Sequence, residues 1–419
     1  MPKAEKSRDI IEVILDAPEL GELQKVGWLY RPGVRTDLPA SFEYEPGWRE
    51  SDRAFMLDPR LELWSGEQHP PARAAAFGIF MDSAPDRWGR VLMERREAVA
   101  AHHESRQARH LRELDFLLGV HDMTRMGALR LRRPNGPFLD DSLNAVPPVT
   151  GLQELAYISQ RMGESGVEGL PEYEKWLATL IAPGSSLGGA RPKASFSESN
   201  GRIWIAKFPA RDDRYDVGGW EYLVHRLAHR AGIWVPEARQ ASLTPVHSTF
   251  CVERFDRRDK GRRLYTSAMT LLEYEERVTG AGYLEIAEFI SDHGAQGHID
   301  EDLKQLYRRV VFNVLIGNRD DHLRNHGFIR EPSGWRLSPA FDMNPHPGKT
   351  EHVLTLDGSS RAPDMAAVLR TADLYRLSPA EAMDIVQLTK EVVATWRVMA
   401  KQMGLPRSEI QRMEPVFQV

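Results

Sequence analysis

Apolar side chains at positions 306, 307, 310, 311, 314 and 315 recur at helical spacing and require a core to bury them. Directly afterwards the chain turns polar, Asn318-Arg-Asp-Asp-His-Leu-Arg-Asn325, and a little later reads Ser338-Pro-Ala-Phe-Asp-Met343. A buried helix therefore ends in a loop carrying Asp320, His322 and Asn325. A short hairpin separates that loop from Phe341 and a further acid, Asp342.

One carboxylate, an amide five residues on and a second carboxylate about twenty residues later is the layout of a phosphoryl-transfer site. In that layout Asp320 receives the proton of the acceptor hydroxyl, while Asn325 and Asp342 hold the metal that bridges the phosphates. The same residues also suit a plain polar loop in which Asp and Asn cap helices and turns. A metallohydrolase built from Asp320, His322, His326 and Asp342 lacks any His-Glu-x-x-His or cysteine-rich spacing. A serine or cysteine hydrolase lacks Gly-x-Ser-x-Gly, and Cys251, the one cysteine, reads as a strand interior residue.

Across 419 residues with 42% hydrophobic content and 9% aromatics the chain is globular, and its length favours two or three domains. A net charge of −5 gives no global argument for nucleic-acid or membrane binding. A lone cysteine excludes an intramolecular disulfide and fits a reducing cytosol. With neither a signal-like start nor an eighteen-residue apolar run, a cytoplasmic protein without a membrane span is expected.

Short strand-like runs at 11–15, 27–30, 41–44 and 61–64, punctuated by Gly and Pro, predict a small β-sheet or barrel. Residues 77–118 and 152–180 read as helical, with a Pro/Gly/Asp-rich loop or linker at 133–151 between them. A Gly/Ser-rich loop over 183–193 comes next, then strands at 202–208 and 248–255 flanking an amphipathic helix at 221–231.

In the loop, Gly184, Gly188 and Gly189 allow backbone N–H groups to approach phosphates, with Lys193 close behind; an ordinary turn is the competing reading. It is no Walker A motif. The only Gly-Lys-Thr, at 348–350, has Met343 where the leading glycine should stand, and no Gly-x-Gly-x-x-Gly occurs. Lys207, on the strand face of Ile203 and Ile205, calls for an anion, a phosphate or a carboxylate such as Glu221, or else snorkels to water. Backbone groups near Glu253 and Phe255 suit an adenine edge. Arg254, Asp256 and Arg257 suit equally well a solvent-facing charge cluster.

Taken together, these residues resemble the HipA family of bacterial serine/threonine-protein kinase toxins. Ser186-Leu-Gly-Gly-Ala-Arg-Pro-Lys193 is similar to that family's phosphate-binding loop and Ile205-Ala-Lys-Phe-Pro209 to its ATP-lysine strand. Val252-Glu-Arg-Phe-Asp-Arg257 is similar to its hinge, Asn318 to Asn325 to its catalytic loop, and Phe341-Asp342 to its metal-binding pair. The resemblance extends over residues 27–396.

It implies an α+β, two-lobed kinase-like fold with a β-rich N-terminal part and a mainly helical C-terminal lobe. The implied division is residues 1–150 as an N-terminal β-rich subdomain with helices, 151–258 as the nucleotide-binding part, and 259–419 as the catalytic lobe. Asp320 would be the catalytic base, and Asn325 with Asp342 would hold Mg2+. ATP would be bound by Gly188, Gly189, Ala190, Arg191, Pro192, Lys193, Lys207, Glu253, Arg254, Phe255, His322, Arg324, Asn325, Phe341 and Asp342. Ser186, or its neighbour Ser185, falls where the family autophosphorylates, and a doubly charged group there would repel ATP.

The implied substrate is a protein Ser/Thr, in the family a translation factor such as an aminoacyl-tRNA synthetase, and the implied partner a HipB-like DNA-binding antitoxin. The base and metal ligands alone also fit a small-molecule phosphotransferase. A catalytically weak ATP-binding regulator acting with a DNA-binding partner is the remaining alternative.

Overall fold

The computed structural model describes residues 8–33, 38–141, 146–184, 191–259, 261–275 and 280–419. By internal contact the chain forms two compact units. The first runs to Arg211 and takes in Asp256–Tyr265; the second comprises Asp212–Phe255 and Thr266–Val419.

The first unit opens with strands β1 (Asp9–Leu15), β2 (Gln24–Arg31) and β3 (Ser41–Tyr44), joined much later by β4 (Leu129–Arg132). They form an antiparallel sheet in the order β3-β2-β1-β4. Residues Ile11 to Leu15 are buried throughout, so β1 is the sheet's central hydrophobic strand. Its buried acid, Glu12, is satisfied by Arg132 of β4 at 2.7 Å and Lys25 of β2 at 3.7 Å.

Residues 61–64 are not the fourth strand that their pattern predicts. They run irregularly, with Leu61 buried and its carbonyl accepting the Tyr44 hydroxyl at 3.0 Å. Just upstream, the Asp58 carboxylate takes the Arg60 and Ile79 N–H groups, a local bond set that competes with strand pairing. The free side of β1 goes instead to residues 129–132.

The helical stretches are present but broken. Residues 77–118 give Gly78–Met81, α1 (Arg87–His103) and Glu113–Leu118. Residues 152–180 give α2 (Leu152–Arg161) and α3 (Tyr173–Gly184), interrupted where glycines 163, 166 and 169 fall together. Strands β5 (Lys193–Ser197) and β6 (Ile203–Lys207) then pair antiparallel.

Residues 256–265 return to this unit through charge. Asp256, almost wholly buried, accepts the Gly127 N–H at 2.8 Å, and Arg257 donates to the Arg125 carbonyl at 2.8 Å. Arg262 reaches Asp122 and Arg263 reaches Glu19, at 3.1 and 3.0 Å. Asp256 and Arg257 are therefore interior ties, not the solvent-facing cluster their sequence allows.

In the second unit, α4 (Val217–Arg230) is capped by Asp216, whose carboxylate accepts from Gly219 N at 3.0 Å and from Ser248 N at 2.8 Å. Strands β7 (Ala238–Ala241) and β8 (Thr249–Glu253) pair antiparallel. Helix α5 (Tyr283–His293) leads to the central α6 (Ile299–Ile316), followed by the hairpin β9 (Gly327–Glu331) and β10 (Gly334–Leu337). Helices α7 (Pro379–Ala394) and α8 (Trp396–Gln402), with a last helix at Arg407–Met413, close the unit.

Helix α6 forms its spine, with Leu306, Tyr307, Val310, Val311, Phe312, Val314 and Leu315 all buried. Trp220 joins an aromatic group with Trp396 and Phe417, the latter two stacked at 4.4 Å, and its indole N–H donates to Glu409 at 2.8 Å. The protein is thus α+β, with a four-stranded sheet early and long helices dominating the later unit. Among the described residues no helix is long and apolar enough to cross a membrane.

Candidate active site

The site's frame begins where α6 stops. Gly317 terminates the helix at φ +64, and a Cβ there would stand 2.5 Å from Val416 Cγ1 and 2.7 Å from the Val416 carbonyl. Only glycine satisfies both the left-handed turn and this approach. The chain is then pinned back onto the helix: Asn318 N donates to the Asn313 carbonyl at 2.9 Å, and Asn318 Nδ2 to Asn313 Oδ1 at 3.0 Å.

Two consecutive acids meet opposite fates. Asp321 is buried and accepts hydrogen bonds from Tyr283 Oη at 2.6 Å and Asn313 Nδ2 at 3.0 Å, with His326 Nε2 at 2.7 Å. Burial by itself would raise this carboxyl. The His326 charge and hydrogen bond, with the Tyr283 hydroxyl, outweigh it and hold Asp321 below the usual carboxylate range. Burial and then Asp321 push the Tyr283 hydroxyl far above its ordinary value, so it remains a donor. Asp321, to which the sequence assigns no chemistry, is the anchor of the loop.

Asp320 points the other way, its side chain 55% exposed and ion-paired with Lys349 Nζ. Two further contacts bring the 345–349 segment to this loop. His346 N donates to the Gly317 carbonyl at 3.0 Å, and the Arg319 guanidinium donates to the Lys349 carbonyl. The sequence reading discards Gly348-Lys-Thr350 as a nucleotide loop and so passes over Lys349. An isolated lysine seven residues past Asp342 carries no signal that would have found it.

His322 precedes the short 3-10 turn Leu323–Asn325, which brings Asn325 N to the His322 carbonyl at 2.8 Å, with Arg324 half-buried beside it. Asp342 adopts φ +56, a backbone state uncommon for a residue other than glycine, and Asn344 Nδ2 approaches its carboxylate at 3.4 Å. Beside it Phe341 stacks on Phe255, ring centroids 5.4 Å apart at 29°. The hinge-like segment and the second acid are thus joined by one aromatic pair. Glu253 is half-buried at the end of β8, whereas Arg254 is buried, which leaves its backbone rather than its side chain to meet a ligand.

Asn325 and Asp342 offer an amide oxygen and a carboxylate. That hard-oxygen set suits Mg2+, which keeps waters and takes its remaining ligands from phosphates. Among the described residues no group of three or more His, Cys, Asp or Glu side chains is placed to hold a metal, and His326 is committed to Asp321.

In the first unit, β5 and β6 set Lys193 directly opposite Lys207. Like charges at facing positions repel, so neither lysine stabilises the other. The Lys207 face of β6 is half-buried and its Trp204/Ala206 face fully buried, so the lysine emerges at the wetter face of the strand. Phe208 N donates to the Pro192 carbonyl at 2.9 Å, and Arg191 lies near the Phe208 carbonyl at 3.4 Å. Gly184 serves packing rather than phosphate approach. It ends α3 where a Cβ would meet Leu92 Cδ1 at 2.9 Å and the Lys193 carbonyl at 3.1 Å. Ser185, Ser186, Gly188, Gly189 and Ala190 lie outside the described residues.

A family described as HipA-like C-terminal domain matches residues 185–396. A Haemophilus influenzae protein named "Putative kinase" is 26% identical over 188 residues, 39% of this chain and 54% of that protein. "Putative kinase Y4dM" of Sinorhizobium fredii is 26% identical over 236 residues, 50% of this chain and 55% of that protein. The chain spans about half the length of the curated relatives it matches. Among solved structures, a chain of the Shewanella oneidensis MR-1 toxin–antitoxin complex of HipA, HipB and operator DNA aligns with a TM-score of 0.66. The alignment covers 97% of this chain and 94% of that one at 16% identity, a likeness of fold.

Proposed function

This chain belongs to the family of HipA-like C-terminal domains, and from that premise we propose that it is a kinase of HipA type. It transfers the γ-phosphoryl group of Mg-ATP to a protein Ser or Thr hydroxyl and to its own Gly-rich loop at Ser186 or Ser185. The observation that carries this reading is the division of labour between neighbouring acids, Asp321 locked beneath the loop and Asp320 left accessible above it. A polar loop serving only to cap a helix has no use for the second, outward carboxylate.

On this reading Asp320 accepts the acceptor hydroxyl's proton as its oxygen attacks phosphorus. Asn325 and Asp342 would hold Mg2+, which supplies charge neutralisation at the phosphates. Lys193 and Lys207 meet the phosphates, with Gly188, Gly189, Ala190, Arg191 and Pro192 forming the loop around them. Glu221, buried on α4, is the candidate partner of Lys207. The Glu253 to Phe255 backbone takes the adenine edge, Phe341 supports it through Phe255, and His322 and Arg324 line the nucleotide. The division by role at residues 1–150, 151–258 and 259–419 belongs to the same proposal. So do a protein substrate such as an aminoacyl-tRNA synthetase, a HipB-like antitoxin partner and a cytoplasmic setting.

Incubation with Mg-[γ-32P]ATP followed by phosphopeptide mapping tests the reading. Label is expected on Ser185 or Ser186, and Asp320→Gln should reduce its rate of appearance by about 10²–10⁴-fold. ATP binding without transfer would identify a regulator instead, and label passing only to a small metabolite would identify a small-molecule phosphotransferase.

A further inference from the structure

Lys349 has no place in the layout just described, yet its ammonium sits on the carboxylate proposed as the base. Its position is built. The backbone on either side is tied to the loop by His346 N on the Gly317 carbonyl and by Arg319 on the Lys349 carbonyl, while the side chain stays 38% exposed. A surface ion pair contributes little to stability, so fold maintenance is a poor reason to hold a lysine against Asp320 by two separate backbone contacts.

Resting on the kinase reading, we propose that Lys349 is a further catalytic residue, one whose ammonium passes from Asp320 to the transferring phosphoryl group. The acceptor O–H bond breaks as its proton goes to Asp320 Oδ, and the hydroxyl oxygen bonds to the γ-phosphorus. The bond from that phosphorus to the β–γ bridging oxygen breaks, and ADP leaves with the electron pair. As Asp320 becomes neutral it no longer attracts the Lys349 ammonium. Negative charge persists on the equatorial oxygens of the phosphoryl group, and Lys349 donates its hydrogen bonds there. The interaction is weak while Asp320 is ionised and strong once the proton has moved. Such a contact lowers the barrier without tightening ground-state binding.

Lys349→Met, Lys349→Arg and wild-type protein would be compared for total ATP turnover with Mg2+, counting incorporated and released phosphate. ADP affinity by calorimetry and the thermal midpoint would be measured alongside. The proposal expects Lys349→Met to lower the maximal rate by about 10²–10³-fold. The ATP concentration for half-maximal rate, the ADP affinity and the thermal midpoint should stay close to wild type, and Lys349→Arg should recover part of the rate. A maximal rate within about threefold of wild type in Lys349→Met overturns it. So does a fall matched by an equal loss of ADP affinity or of thermal stability, which marks a structural lysine. Wild-type protein that turns over no ATP sinks the kinase reading itself, and this inference with it.

Discussion

At the scale of the residue, Asp320 and Asp321 show how little an amino-acid type says about its role. Both are aspartates on one loop, and only their surroundings separate them: Tyr283, Asn313 and His326 around one, solvent and Lys349 around the other. Near the same loop His352 is buried, and burial lowers its pKa to about 4, with Asp321 pulling the other way. A histidine with a folded pKa below its unfolded value stabilises fully above 6.5 and loses that contribution as pH falls from 6.5 towards 4. Stability should therefore decline across that window by up to roughly 3 kcal/mol. Asp321, with its folded pKa lowered, adds a second loss below the ordinary aspartate value of 3.8. Thermal melts of wild type and His352→Gln between pH 7 and 4 check this; equal slopes in the two proteins would remove His352 from the account.

At the scale of the element, α6 and the loop after it stand out as the part most legible from sequence. The spacing of residues 306–315 gives the buried face, and the polar run that follows marks the helix end. Gly317 is the hinge between the two, and Gly317→Ala should cost about 2 kcal/mol or more, since the new Cβ meets Val416 and strains a left-handed turn. Urea unfolding checks the stability, and a variant as stable as wild type would show that the C-terminal segment gives way freely. The irregular course of 61–64, where a strand was expected, and the break inside the helical stretch 152–180 were not legible. In the first, side-chain bonds at Asp58 and a remote competitor, residues 129–132, decide the pairing. In the second, local glycine content overrides the helical period.

Across the whole molecule, residues 256–265 leave the second unit in sequence and rejoin the first in space. Buried charge holds them there, above all Asp256 between Gly127 N and Arg257. Asp256→Ala leaves Gly127 N without its acceptor and the Arg257 charge without its buried carboxylate, and should destabilise the first unit by about 3–5 kcal/mol. Hydrogen exchange should then show lost protection around residues 121–132; unchanged protection there would mean the segment is held by its other contacts.

The sequence by itself determined the order of the groups proposed here as lysine strand, hinge, base, amide and second acid, because their types and spacing are set along one chain. Local periods also placed strands early and helices late, while the α+β class followed from the family resemblance. What only the tertiary structure decided is who faces whom. The Glu12–Arg132 and Asp256–Gly127 contacts, the Asp321–Tyr283 bond and the pairing of Lys349 with Asp320 join residues separated by 120, 129, 38 and 29 positions. No local pattern encodes such pairs, because each exists only once packing has brought remote segments together and removed the water between them.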